Sequence, residues 1–280
     1  MISCLRFALI ACALAFGGHS LAEINPSSGF KIFLSVPSSV VSEDAVLSKY
    51  LFQNPSLFKA NVVYESRFLV GGVVDVERLS SLSRELAVES SDIVVVDAEF
   101  GDRFDPATNL PDKIRIADIL KKSGVRSPVG VYGTFPQVIY RSRSDYSYYD
   151  KLNNNYAELL GHVDFLSPVL YNYNGKSFDS WLSVASYQID YAKKRGRGKP
   201  IFPFVSPVYW DAPLDKKDGL RLISEVPKED FLMRLRALKR LGADGCIIWI
   251  GSRYKLADGV PYRVKVNSQW VDALRVFSSE

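Results

Sequence analysis

Two kinds of apolar pattern alternate along the chain. Short continuous runs rich in Val, Ile and Phe occupy 31–37, 60–65, 93–100, 128–135, 163–173, 200–208 and 244–250. Each is bounded by turn residues and lacks the polar alternation of a sheet with one wet face, so each reads as a strand buried on both sides. Between them, apolar residues recur three and four apart. The stretch 76–89 carries Leu79, Leu82 and Leu86, and 112–122 follows Pro111 and stops at Gly124. Residues 180–195 carry Leu182, Ala185, Ile189 and Ala192, residues 227–241 carry Phe231, Leu235 and Leu238 before Gly242, and a last pattern covers 268–277. These are helix signatures, with Pro and Gly where helices begin and end. Alternation of this kind implies βαβ units with right-handed crossovers. About seven strands in about 250 residues, with no Gly-x-Gly-x-x-Gly after the first, predict an α/β fold of the TIM-like (β/α) barrel type rather than a dinucleotide-binding sheet. No linker or repeat divides 23–280, which reads as one domain. Residues 141–156, polar and tyrosine-rich, read as a long loop at the functional mouth.

The N-terminus departs from this pattern. A short positively charged start, an apolar run over 7–16 and the small residues of Ser20-Leu21-Ala22 predict a signal peptide, 1–22, cleaved near Ala22. The run is too short to span a bilayer, so the mature chain is expected to be secreted or periplasmic with no transmembrane segment. Leu9-Ile10-Ala11-Cys12 offers an alternative lipoprotein site. Cys4 and Cys12 leave with the leader, and Cys246, in an apolar run, is expected to be a small buried hydrophobe.

Composition narrows the function classes. The 280 residues are 47% hydrophobic and 24% charged, with a formal charge of +4. That balance suits an anionic ligand but is too weak for nucleic acid, and no Lys/Arg stripe carries interleaved aromatics. The basic stretch 193–199 reads as a helix end running into a loop. His162 stands alone in the mature chain and no Cys/His cluster exists, so neither a metal, another cofactor nor a Ser-His-Asp triad is expected. Gly-x-Ser-x-Gly and Walker-type loops are absent from the sequence.

The candidate chemistry lies at strand ends. Asp97 and Glu99 close the valine-rich run, two residues apart and therefore on one face. Neighbouring carboxylates disfavour each other's ionisation, and a carboxyl that keeps its proton near neutral pH can protonate a glycosidic oxygen. The same pair could instead bind a loop amide or Arg103. Four other strand ends gather aromatic and polar residues: Tyr132 with Tyr140 beyond it, Tyr171 with Asn172, Tyr209 with Trp210, and Trp249. Aromatic faces beside amides and carboxylates suit sugar rings, and Tyr132, Tyr140, Tyr171, Asn172, Tyr209 and Trp249 are the expected substrate contacts.

In order along the chain, several segments resemble motifs of the hyaluronidases of the bee-venom and sperm type. They are Asp97-Ala98-Glu99, Arg103, Gly130-Val131-Tyr132-Gly133-Thr134-Phe135-Pro136, Leu166-Ser167-Pro168-Val169-Leu170-Tyr171, Pro200-Ile201-Phe202-Pro203-Phe204 and Gly242-Ala243-Asp244-Gly245-Cys246-Ile247-Ile248-Trp249. The resemblance implies a seven-stranded barrel and a retaining, substrate-assisted glycosidase acting on an N-acetylhexosamine polysaccharide. Glu99 would be the general acid, Asp97 would orient the acetamido group, and Trp249 would line its pocket. The sequence departs from the family in places. Ser167 stands where the family has its acetamido-binding tyrosine, with Tyr171 the candidate replacement. Ala98 replaces a tryptophan, and the family's mouth tyrosine falls near Ile139 or Tyr140. These departures point to an amino-sugar polymer other than hyaluronan. Two other readings stay open: a glycosidase whose second carboxylate comes from another strand, Asp145 or Asp211, and a barrel that binds glycan without cutting it.

Overall fold

The structure, a computed structural model, describes residues 29–280; the leader expected at 1–22, with Cys4, Cys12 and His19, lies outside them. In chain order the strands are β1 (Lys31–Ser35), β2 (Leu57–Tyr64), the small hairpin β3 (Leu69–Val70) and β4 (Val73–Val74), β5 (Ile93–Asp97), β6 (Val129–Val131), β7 (Phe204–Val205), β8 (Val208–Leu214), β9 (Arg221–Glu225), β10 (Gly245–Trp249) and β11 (Tyr254–Lys255). The helices are α1 (Ala45–Gln53), α2 (Val76–Val88), α3 (Leu110–Lys122), α4 (Ser147–Asn155), α5 (Phe178–Arg195), α6 (Lys228–Leu241) and α7 (Gln269–Phe277). Six strands pair side by side in the order β6-β5-β2-β1-β10-β7, all parallel.

The segment 165–170 completes the ring. Ser167 bridges Tyr132 beyond β6, while Leu166 and Val169 bridge Ile201 and Phe204 on the other side. The sequence reading expected a full strand at 163–173 and a longer one at 200–208. Pro168, Pro200, Pro203 and Pro207 explain the difference, because a proline has no N–H for a ladder. The result is the expected α/β barrel of seven parallel members, six strands and one bridged segment.

Strand periodicity builds two cores. Phe33, Ala60, Ile93, Val95, Phe165, Val169, Phe202, Phe204 and Ile247 point into the barrel. Their neighbours, among them Ile32, Leu34, Val94, Val96, Cys246 and Ile248, point outward against the helices. Phenylalanines fill the barrel interior, with Phe33 and Phe165 at 4.8 and 5.3 Å from Phe202, ring to ring. Gly130 lies inside because a Cβ there would come within 2.5 Å of the Phe165 ring.

Local signals set most helix boundaries. Asp75 caps α2 by accepting from Glu77 and Arg78 amides, and Leu79, Leu82 and Leu86 form its buried face. The basic stretch at 193–195 is the last turn of α5, followed by Gly196, and Gly242 ends α6 in the left-handed region. Two helices depart from the sequence reading. The tyrosine-rich 141–156 is largely α4, held by Tyr149 and Leu152, and α1 had no predicted counterpart. The run expected to end at 208 continues instead into an antiparallel hairpin, β8 and β9, joined by β11. No described helix is long and apolar enough to cross a membrane.

Candidate active site

The inward parity of β5 runs from Ile93 and Val95 to Asp97 and on to Glu99. Both carboxylates therefore stand at the C-terminal mouth of the barrel, above the apolar plug. Burial, reinforced by the charges of Glu99 and Glu65, pushes the Asp97 carboxyl up to about 7. Asp97 Oδ1 is buried with no hydrogen-bond partner among the described residues. Glu99 stands higher, with solvent-exposed surface yet surrounded by the walls of the mouth, and burial and the Glu65 charge raise its pKa too. Glu65 comes from the turn after β2, whose last residue, Tyr64, pairs with Asp97. Its Oε2 accepts the Glu99 backbone N–H at 3.1 Å.

Aromatic rings line the side facing these acids. Tyr171 stacks on Trp249 with centroids 5.5 Å apart and planes 26° from parallel. The indole of Trp249 donates to the Tyr64 hydroxyl at 3.0 Å. Tyr132 packs edge-on against Phe204 at 5.0 Å and lies 6.2 Å from Tyr171, ring to ring. Burial pushes the phenols of Tyr132 and Tyr171 well above their ordinary range, so both remain neutral hydrogen-bonding groups. Beyond Trp249 a pocket of about 590 Å³ is lined by Tyr64, Trp210, Tyr254 and Arg221. On the other side of Glu99 a smaller pocket of about 180 Å³ is lined by Glu99, Arg103, Lys113, Tyr132 and Tyr140.

Solved structures share this fold. Bee venom hyaluronidase in its monoclinic crystal form matches with a TM-score of 0.55 and 14% identity, over 89% of this chain and 96% of that one. Bee venom hyaluronidase in complex with a hyaluronic acid tetramer matches with a TM-score of 0.51 and 14% identity, over 89% and 95%. At such identity the likeness is one of fold. No protein-family model matches the sequence, and no curated protein does.

Among the residues singled out in the sequence, Asp97, Glu99, Tyr132, Tyr171 and Trp249 meet at the mouth. Tyr140 stands at its rim, 5.0 Å from the Arg103 guanidinium and 4.8 Å from Tyr173, ring to ring. Asn172 and Tyr209 lie elsewhere. The Asn172 amide donates to the Ser206 and Val208 carbonyls at 2.9 and 2.8 Å, tying two loops together. Tyr209 is buried and donates to Asp230 on α6 at 2.8 Å. Strand parity explains the correction: Trp210, one residue on, takes the inward place, 5.9 Å from Tyr171. Asp145 and Asp211 line neither pocket beside the acids. Asp145 is exposed and accepts the Ser147 amide, while Asp211 pairs with Lys176 at 3.8 Å.

Two charged residues of the site were not foreseen. Glu65 ends the second predicted strand, a strand-end carboxylate like Asp97. Lys113 sits on α3 in register with Leu110, Ala117 and Leu120, a lysine on the apolar stripe of a helix, which is a readable signal. Burial lowers its pKa to about 8 although Glu99 and Asp97 favour its charge. Arg103 was foreseen as a possible partner of the two acids and as part of the family resemblance. Its guanidinium lies between the Phe104 and Tyr140 rings, at 5.1 and 5.0 Å, and donates to the Val138 carbonyl.

Proposed function

We propose that this chain is a glycoside hydrolase cleaving a polysaccharide that contains N-acetylhexosamine, with retention and with help from the substrate's own acetamido group. The observation that carries this reading is the placement of Asp97 and Glu99 on one inward face of the mouth, beside the stacked Tyr171 and Trp249. In this reading Glu99 donates its proton to the glycosidic oxygen as the bond to the anomeric carbon breaks. The acetamido carbonyl oxygen attacks that carbon, and the ionised Asp97 accepts the acetamido N–H. Water then opens the cyclic intermediate, with Glu99 taking back a proton. Burial and neighbouring carboxylates raise both acids above their ordinary range, so one of them can keep a proton. An N–H donated to Asp97 stabilises its carboxylate and shifts the proton to Glu99. Ser167 donates to the Val131 carbonyl at 3.0 Å and is engaged there, and in this reading Tyr171 meets the acetamido oxygen. The leader at 1–22 fits action outside the cytoplasm, to be checked by N-terminal sequencing of the exported chain.

Glu99→Gln should lower cleavage by roughly 10²–10⁴-fold while leaving folding and sugar binding intact. Product analysis on a panel of polysaccharides with amino sugars measures it, and equal activity in the variant would remove the reading. Glu65 favours a second reading, in which it serves as a covalent nucleophile, because its carboxylate reaches the Glu99 backbone in the same mouth. Trapping of a glycosyl ester on Glu65 would select that mechanism.

A further inference from the structure

Lys113 is a buried charge that the reaction above does not use. It is only 6% exposed and lies among apolar neighbours on the inner stripe of α3. Its ammonium donates to Thr134 Oγ1 at 3.0 Å. That threonine is itself held: its hydroxyl lies 3.1 Å from the Tyr132 carbonyl, and Gln137 donates to its carbonyl at 2.7 Å. An ammonium has three donors. One is anchored on Thr134, which leaves two for the pocket that Lys113 lines with Glu99 and Arg103.

The charged groups facing Lys113 are Glu99 and Asp97 at the end of β5, Arg103 in the loop that follows, and Glu65 after β2. The cluster thus holds three carboxylates and two cations. Fully ionised, it carries one net negative charge in a mouth walled by protein, where net charge is penalised. One retained proton makes it neutral. Without the Lys113 charge, neutrality would need two.

We propose that Lys113 is a positioning residue that limits the cluster to one acidic proton, so that one of Asp97 and Glu99 stays ionised while the other is protonated. The catalytic consequence rests on the glycosidase reading: with both acids protonated, no carboxylate remains to accept the acetamido N–H. The electrostatic statement does not depend on that reading.

The test is a carboxyl-carbon NMR titration of the chain labelled at Asp and Glu, assigned with Asp97→Asn and Glu99→Gln. Lys113→Met should move the midpoints of Asp97 and Glu99 up by roughly one pH unit or more, and Lys113→Arg should return them toward the wild type. Unmoved midpoints in folded Lys113→Met, or a shift that Lys113→Arg fails to reverse, would overturn the proposal. Should Lys113→Met not fold, the coupling can be read from the other side, since it is reciprocal. Glu99→Gln should lower the midpoint of the Lys113 side chain, followed through its ε-carbon, and an unchanged midpoint overturns the proposal equally. Hydrolysis is scored separately: a wild type that cleaves nothing refutes the glycosidase reading while the titrations still decide the role of Lys113.

Discussion

Asp97 weakens the folded chain at neutral pH. Its carboxyl titrates near 7 in the fold against an ordinary value of 3.8, so the unfolded chain ionises first as pH rises. Between those values the folded state holds a proton that the unfolded state has released, and stability falls across that window. The loss is at most about 4 kcal/mol by pH 8, from 1.36 kcal/mol per pH unit. Asp97→Asn should therefore raise Tm at pH 8, by an amount that vanishes toward pH 4, while abolishing hydrolysis. A series of melts over that range checks it; a gain independent of pH would contradict the assignment. Lys113 acts in the opposite direction. Its folded-state pKa of about 8 lies below the ordinary 10.5, so stability should rise with pH between them. In the glycosidase reading, hydrolysis should decline as rising pH takes the proton from Glu99, whose pKa burial and the Glu65 charge raise, and a kcat/KM profile reports that limb.

Strand parity decides which neighbours enter the site. Tyr209 and Trp210 are adjacent, yet one bonds α6 and the other walls the cleft. Tyr209→Phe should lower stability by about 1–3 kcal/mol, with KM unchanged, because it removes the bond donated to Asp230 and the one accepted from the buried Arg234. Trp210→Ala should raise KM. The opposite pairing of effects would show that the hairpin faces the other way. Gly130→Ala should destabilise by about 1–3 kcal/mol, since the new methyl would press on Phe165 and the filled barrel interior offers little room; denaturant unfolding measures it. The inward parity of Asp97 and Glu99 could be read from β5 alone, which is an uninterrupted valine strand. The parity of Tyr209 and Trp210 could not, because Pro207 and the unforeseen hairpin reset the alternation just before them.

A repeated device holds the base of the whole barrel. Asp92, Asp164 and Asp244 each stand just before an inward run, and each accepts a backbone N–H from a neighbouring strand or bridged segment: Lys59, Val129 and Ile201, at 2.6, 2.9 and 2.9 Å. Asp244→Ala would leave the Ile201 amide unpaired and should lower stability by about 1–3 kcal/mol without altering the pH profile of catalysis. Above these clamps the interior grades from phenylalanine to tyrosine, tryptophan and carboxylate, so a dry base supports a polar, aromatic mouth. The alternating runs, the helix stops at Gly196 and Gly242 and the shared face of Asp97 and Glu99 were all readable in the chain, because each depends on bonding and sterics among residues a few positions apart. The company those acids keep was not. Tyr64 and Trp249 meet across 185 residues, and Glu65 and Lys113 reach the same hollow from a turn and a helix. Such meetings depend on how seven members close into a ring, and ring closure is set by ladders and packing between segments that carry no local trace of one another.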